Sequence, residues 1–144
     1  MKKYKKGYTS GVYDLFHVGH LNIFKRAKEQ CDYLLVGVST DKVVFENKKI
    51  IPTICFEDRI AIVESIKYVD KAIPQTRYDI DGKIEAVLKN NIDVVFVGDD
   101  WLGTDKWKTI EMELKKIGCD VVYLPHTDGI SSTILRKQIL EEDE

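Results

Sequence analysis

Between Tyr8 and Thr40 the chain passes from a short apolar segment through a loop into an amphipathic stretch, Leu21 to Gln30, and on to a nearly continuous apolar run, Asp32 to Thr40. An apolar run of strand length without alternation suits a parallel strand covered on both faces. Strand, helix and strand within about thirty residues make a βαβ unit with a right-handed crossover. The rest of the chain continues the alternation. Phe56 to Ile66 has helical spacing, with Ile60, Val63 and Ile66, or Ile62 and Ile66, on its buried face and Arg59 and Lys67 looking away from it. Tyr68 to Pro74 reads as a short strand ended by Pro74, Asp81 to Asn90 as a helix, and Ile92 to Gly98 as a buried strand. Lys106 to Ile117 is a helix stopped by Gly118, Cys119 to Leu124 the last strand, and Ile134, Leu135, Ile139 and Leu140 mark a final amphipathic helix. From Lys42 to Thr53 the pattern breaks, and Glu46-Asn47-Lys48-Lys49 before Pro52 reads as a mobile basic loop. The expectation is one doubly wound α/β domain spanning residues 1–144, with a five-stranded parallel sheet.

Composition excludes several classes. At 144 residues the chain fits one domain with a substantial core. Its formal net charge of −2 gives no global reason to bind nucleic acid. No apolar run approaches the eighteen or so residues of a membrane span. Met1-Lys2-Lys3-Tyr4-Lys5-Lys6 leads toward a strand rather than a signal-peptide core, so a cytoplasmic location is expected and no membrane partner. Three widely spaced cysteines, Cys31, Cys55 and Cys119, form neither a disulfide framework nor a metal knuckle and read as reduced. The acidic end, Glu141-Glu142-Asp143-Glu144, reads as frayed and solvated.

The chemistry concentrates in His17-Val18-Gly19-His20, where the first helix begins. Two imidazoles three residues apart project from one side of a first turn. That turn also carries unpaired backbone N–H groups and the positive end of the helix dipole. Gly19 lets a ligand approach the backbone, so the group describes a polyphosphate site. A plainly solvated surface pair is the bland alternative. A zinc site lacks the glutamate of a helical zinc-protease pair and any nearby cysteine. In open α/β sheets ligands sit beyond the carboxyl ends of the strands, where His17, His20, Ser39 and Asp41 would converge with Gly98-Asp99-Asp100-Trp101. Ser131, Ser132 and Thr133 either cap the last helix or hold a second phosphate group there.

The segments Gly11-Val12-Tyr13-Asp14-Leu15-Phe16-His17-Val18-Gly19-His20, Ser39-Thr40-Asp41, Glu57-Asp58-Arg59, Lys67-Tyr68-Val69-Asp70, Gly98-Asp99-Asp100-Trp101 and His126-Thr127-Asp128-Gly129-Ile130-Ser131-Ser132-Thr133 together resemble the cytidylyltransferases of the nucleotidyltransferase superfamily. The His-x-Gly-His pattern is shared with many adenylyltransferases, whereas Gly-Ile-Ser-Ser-Thr with Gly-Asp-Asp-Trp is specific for the cytidylyltransferase branch. The resemblance implies a Rossmann-like fold, a homodimer, and Mg²⁺-assisted transfer of CMP from CTP to a small phosphorylated alcohol. Glycerol 3-phosphate is the favoured acceptor, giving CDP-glycerol and pyrophosphate as a precursor for cell-envelope polymers.

By the same resemblance His17 and His20 hold the CTP phosphates and stabilise the transition state. Lys48 or Lys49 matches the family's phosphate-binding lysine, Lys49 and Ser132 being grouped with the catalytic histidines and Lys48 with the nucleotide. Nucleotide contacts fall on Ser10, Gly11, Val12, Tyr13, Asp14, Gly19, Asp99, His126, Thr127, Gly129, Ile130 and Ser131. Arg59, Lys67 and Tyr78 fall on the acceptor side, and no protein side chain is expected to ligate the metal directly. The acceptor is already anionic, so alignment and positive charge rather than a general base carry the reaction. Three positions depart from the family pattern: His126 and Lys67 replace arginines, and Tyr78 replaces a tryptophan. An imidazole or a point charge does not reproduce a bidentate fork on phosphate. Alternative acceptors are phosphocholine, phosphoethanolamine, ribitol phosphate or an unusual capsule precursor. An adenylyltransferase and a non-catalytic nucleotide-binding module are the more distant alternatives.

Overall fold

The computed structural model describes residues 2–142. In chain order it comprises β1 (Tyr4–Gly11), α1 (Val18–Gln30), β2 (Cys31–Ser39), α2 (Asp41–Lys48), α3 (Phe56–Glu64), β3 (Lys71–Gln75), α4 (Ile80–Asn90), β4 (Val94–Gly98), a 3₁₀ turn (Asp99–Trp101), α5 (Asp105–Lys116), β5 (Asp120–Leu124) and α6 (Ser132–Glu142). The five strands form one sheet in the order β3-β2-β1-β4-β5, every pairing parallel. That is the expected doubly wound architecture. Asp143 and Glu144, half of the acidic end expected to fray, lie outside the described residues, while Glu141 and Glu142 belong to α6.

Alternation along β2 shows why its sequence is apolar throughout. Leu34, Val36 and Val38 join Phe24 and Ala27 of α1 and Val63 of α3 in one core, while Leu35 joins Val87 of α4 and Trp107, Ile110 and Leu114 of α5 in the other. Each successive side chain points into a different hydrophobic layer. Within the sheet, a Cβ at Gly7 of β1 would meet the ring of Phe96 on the neighbouring β4 at 2.5 Å, so glycine there lets that ring pack across the strand.

Three local expectations need correction. The segment read as a mobile basic loop begins as a helix. Thr40 Oγ1 caps it by accepting the Val43 N–H, and Val43 and Val44 are buried beneath it. The charges that suggested a loop form its exposed face, and the helix ends where Lys49 turns left-handed at φ 58°. Pro74 does not end β3, which continues to Gln75. β3 is an edge strand, where a missing N–H is tolerated. Arg59 does not look away from α3: it is among the most buried residues of the protein. Its Nε donates to the Ile54 carbonyl, Nη1 to the carbonyls of Val12 and Ser39, and Nη2 pairs with Asp41 at 2.6 Å.

Candidate active site

The strand order reverses around β1, which pairs with β2 on one side and β4 on the other. Beyond the carboxyl ends of β1 and β4, where such a reversal leaves a crevice, lies a cavity of about 420 Å³. Thr9 to Asp14 run along one side, and Val97, Gly98, Asp100 and Trp101 line it from β4 and the following turn. His20 and Ile23 of α1, Val44 and Lys48 of α2, Ile50 and Pro52 after it, and Ser132, Thr133 and Arg136 of α6 complete the lining.

The two histidines are locked by the start of α1 itself. His17 is the N-cap, and its Nδ1 accepts the Gly19 N–H at 3.0 Å. The His20 Nδ1 reaches back to accept the His17 N–H at 3.2 Å, closing a reciprocal capping box built from imidazoles. The rings stack with centroids 3.8 Å apart, and Tyr13 meets the His20 ring edge-on at 5.3 Å. A Cβ at Gly19 would lie 2.8 Å from the His17 ring, so glycine there is what allows the cap to form. Because each Nδ1 accepts a backbone proton, each neutral ring carries its own proton on Nε2. Desolvation by burial, then the neighbouring His17, pull His20 down to about 3 against a smaller opposing effect of Asp14. Burial also lowers His17. Near neutral pH the pair therefore presents two N–H donors without net charge.

Asp14 ties the remaining segments together. Its carboxylate accepts the N–H groups of Thr53 and Ile54 at 2.8 and 2.9 Å and meets Arg136 at 3.3 Å, while its carbonyl accepts the Ser132 hydroxyl. Tyr13 and Leu15 on either side hold φ values of 56° and 50°, an uncommon conformation for bulky residues and one that concentrates at functional sites. At the start of α6, Ser131 Oγ accepts the Ile134 N–H, so it does serve as a cap. Gly129 takes φ 79° in the turn before it, and Ile130 extends to within van der Waals reach of the Gly19 position.

The cations sort differently from the sequence expectation. Lys48 lines the cavity, whereas Lys49, at the left-handed residue, turns toward the Phe45 ring 6.0 Å away and does not. Desolvation, then Arg136 and Lys106, lower the Lys48 ammonium. His126 stands outside the lining, with Nδ1 2.5 Å from Asp99 and Nε2 2.9 Å from Asp128. The hydrogen bond to Asp99 raises His126, and the same contact lowers Asp99. Asp99 is thus engaged with His126, while its neighbours Asp100 and Trp101 face the cavity. Thr127 Oγ1 accepts from Asn22 of α1 at 2.9 Å, which ties the last loop to the histidine helix.

Of the three acceptor-side residues, Tyr78 donates its hydroxyl to Ser39 Oγ at 2.8 Å near the carboxyl end of β2. Arg59 is sealed beneath the site as described. Lys67 precedes β3, at the opposite end of the sheet, with its ammonium over the Tyr68 ring. Sequence reasoning did not select Arg136, although its place one turn after Ser132 puts both on one face of α6. The apolar wall of Val44 in α2 and Ile50 and Pro52 just after it falls within the segment that reads as a loop from the sequence.

Comparison with known proteins sets this geometry in context. The cytidylyltransferase-like family model matches residues 8–138. The glycerol-3-phosphate cytidylyltransferase of Bacillus subtilis (strain 168) is 39% identical over 135 residues, covering 94% of this chain and 97% of its own. The protein of the same name from Staphylococcus aureus is 37% identical over 140 residues, covering 96% of this chain and 98% of its own. Among solved structures, the lipopolysaccharide core biosynthesis protein of Thermoplasma volcanium superposes with a TM-score of 0.71 at 25% identity, covering 86% of this chain and 98% of that one.

Proposed function

The chain belongs to the cytidylyltransferase-like family, and we propose that it transfers CMP from CTP to glycerol 3-phosphate, giving CDP-glycerol and pyrophosphate. One observation carries the reading. Two stacked imidazoles, their Nδ1 atoms held by backbone N–H groups, sit at a helix start beside a cavity at the switch point of the sheet.

An anionic oxygen of the acceptor phosphate attacks the α-phosphorus of CTP in line. The new O–P bond forms as the bond to the bridging oxygen breaks, and pyrophosphate leaves with the electron pair. No proton has to be removed from the nucleophile, so the site works by orientation and by charge stabilisation. The Nε2–H groups of His17 and His20 donate to phosphate oxygens as negative charge builds, Lys48 supplies positive charge, and the starts of α1 and α6 add oriented N–H groups. Neutral imidazoles suit this role because they remain donors across the working pH range.

Mg²⁺ is expected with the triphosphate, and the donor set fits a metal brought in by substrate. Of the cavity carboxylates, Asp14 is already occupied by Thr53, Ile54 and Arg136, so Asp100 is the one that would hold waters of an ion carried by the triphosphate. Bound there, the ion would neutralise charge on the phosphates. The reading also includes a homodimer, which rests on the family resemblance and is checked by sedimentation. A cytoplasmic setting accords with three cysteines that remain thiols. Among the described residues no helix is long and apolar enough to cross a membrane.

The test is pyrophosphate release with Mg²⁺, comparing CTP with ATP, UTP and GTP against glycerol 3-phosphate and a panel of phosphorylated alcohols and amines. Release with CTP and glycerol 3-phosphate, lost in His17→Ala and His20→Ala, is the expected result. Release only with another acceptor would keep the chemistry and reject glycerol 3-phosphate.

A further inference from the structure

The acceptor phosphate needs cations of its own, yet Arg59 is engaged with Asp41 and three carbonyls and Lys67 stands at the far end of the sheet. A second, open cavity of about 550 Å³ lies beside the last turn of α2, where Asn47 lines it and the next residue, Lys48, lines the central cavity. Its other walls are Tyr78, Asp79, Ile80 and Asp81 before and within the first turn of α4, and Lys106 in the first turn of α5. The Lys106 ammonium lies 5.9 Å from the ring centroid of Trp101, itself part of the central cavity. The Lys83 ammonium lies 5.5 Å over the ring of Trp107, the residue after Lys106.

Lys48 on the central cavity and Lys106 on the second therefore stand on either side of Trp101, while Lys83 lines two further cavities along α4. The charge of Lys106 is close enough to act on both Lys48 and Lys83. Among the described residues none of the three forms an ion pair. Asp79, the carboxylate that reaches Lys83, is held by Arg77 at 2.7 Å and by the Gly82 N–H. Like charges crowded without a counter-ion repel, and a dianion placed among them turns that repulsion into attraction.

Building on the CMP-transfer reading, we propose that Lys106 binds the phosphate of the acceptor on the wall of the second cavity beside Trp101, and that Asn47, Tyr78 and Asp81 line the space for its hydroxyl-bearing tail. An ammonium is suited to this task as a point charge on a flexible stem. The placement puts the attacking oxygen on the α2 side of the CTP phosphates, and it makes Lys106 a determinant of acceptor affinity rather than of nucleotide affinity.

Initial rates with CTP and glycerol 3-phosphate in wild type, Lys106→Met, Lys106→Arg and Lys83→Met test this assignment. In Lys106→Met the KM for glycerol 3-phosphate should rise about tenfold or more, as for loss of a charged hydrogen bond. The KM for CTP should stay within about twofold, which separates the acceptor from uniform damage. Lys106→Arg should recover most of the loss, and Lys83→Met, outside both cavities, should change the same parameter by less than about twofold. Lys106 is exposed on a helix surface, so the variant is expected to fold, and calorimetric titration with glycerol 3-phosphate gives a second readout that should weaken in parallel. An unchanged acceptor KM in an active Lys106→Met enzyme, or an equal rise in both KM values, would overturn the assignment and leave CMP transfer intact. A wild-type protein that forms no CDP-glycerol would instead remove the reading on which it rests.

Discussion

Two helix starts face the same cavity, and they are built in opposite ways. At α1 the capping groups are the functional groups: each imidazole uses Nδ1 to satisfy a backbone N–H and keeps Nε2–H for a ligand. At α6 the hydroxyls are largely engaged within the protein, Ser131 with the Ile134 N–H and Ser132 with the Asp14 carbonyl. A ring with two nitrogens can cap a helix and still donate outward, whereas Ser132 has given its only proton to the Asp14 carbonyl and Ser131, an acceptor, keeps its own. On the proposed reading the α1 imidazoles act through their side chains, while Ser132 ties the α6 start to the loop that carries Asp14.

That contrast predicts unequal consequences. His20→Ala removes a donor aimed at developing charge and should lower kcat roughly a hundredfold to a thousandfold in steady-state assays. Gly19→Ala leaves both histidines in place but drives a methyl group into the His17 ring, and a loss approaching that of His20→Ala is expected. Full activity in Gly19→Ala would break the claim that the caps position the rings. Lys48→Met should reduce kcat/KM about tenfold or more, as for a lost charged hydrogen bond, while Lys49→Met should change it little. Equal effects would remove the distinction drawn at the end of α2. Ser131→Ala, the loss of a plain cap, should cost about 1 kcal/mol in denaturant unfolding and leave kcat nearly unchanged.

How much of this was legible in the sequence follows the same division between local and distant causes. The strands announce themselves because β2 and β4 are covered on both faces, and the histidine pair because its whole geometry lies within four residues. α2 was obscured because two buried valines and a threonine cap carry its helical signal, while its charged outer face suggests a loop. Arg59 reads as a surface cation because its partners, Val12, Ser39, Asp41 and Ile54, come from other segments. The choice between Lys48 and Lys49 turns on one left-handed residue that composition does not betray. Arg136 escapes because its contact with Asp14 spans most of the chain.

The imidazoles also make stability depend on pH. An unfolded histidine takes up a proton near pH 6.5, but His20 in the folded protein resists it until about 3, so stability is full above the unfolded value and declines as pH falls through this window. A His20→Asn variant should flatten that decline in denaturant titrations.

The most direct measurement is a nitrogen-15 NMR titration of the two rings in the free protein. Both His17 and His20 should appear at pH 7 as neutral tautomers protonated on Nε2, with His20 remaining so well below pH 5. A His20 ring that is charged at pH 7, or protonated on Nδ1, would contradict the account of the α1 start as a pair of neutral donors.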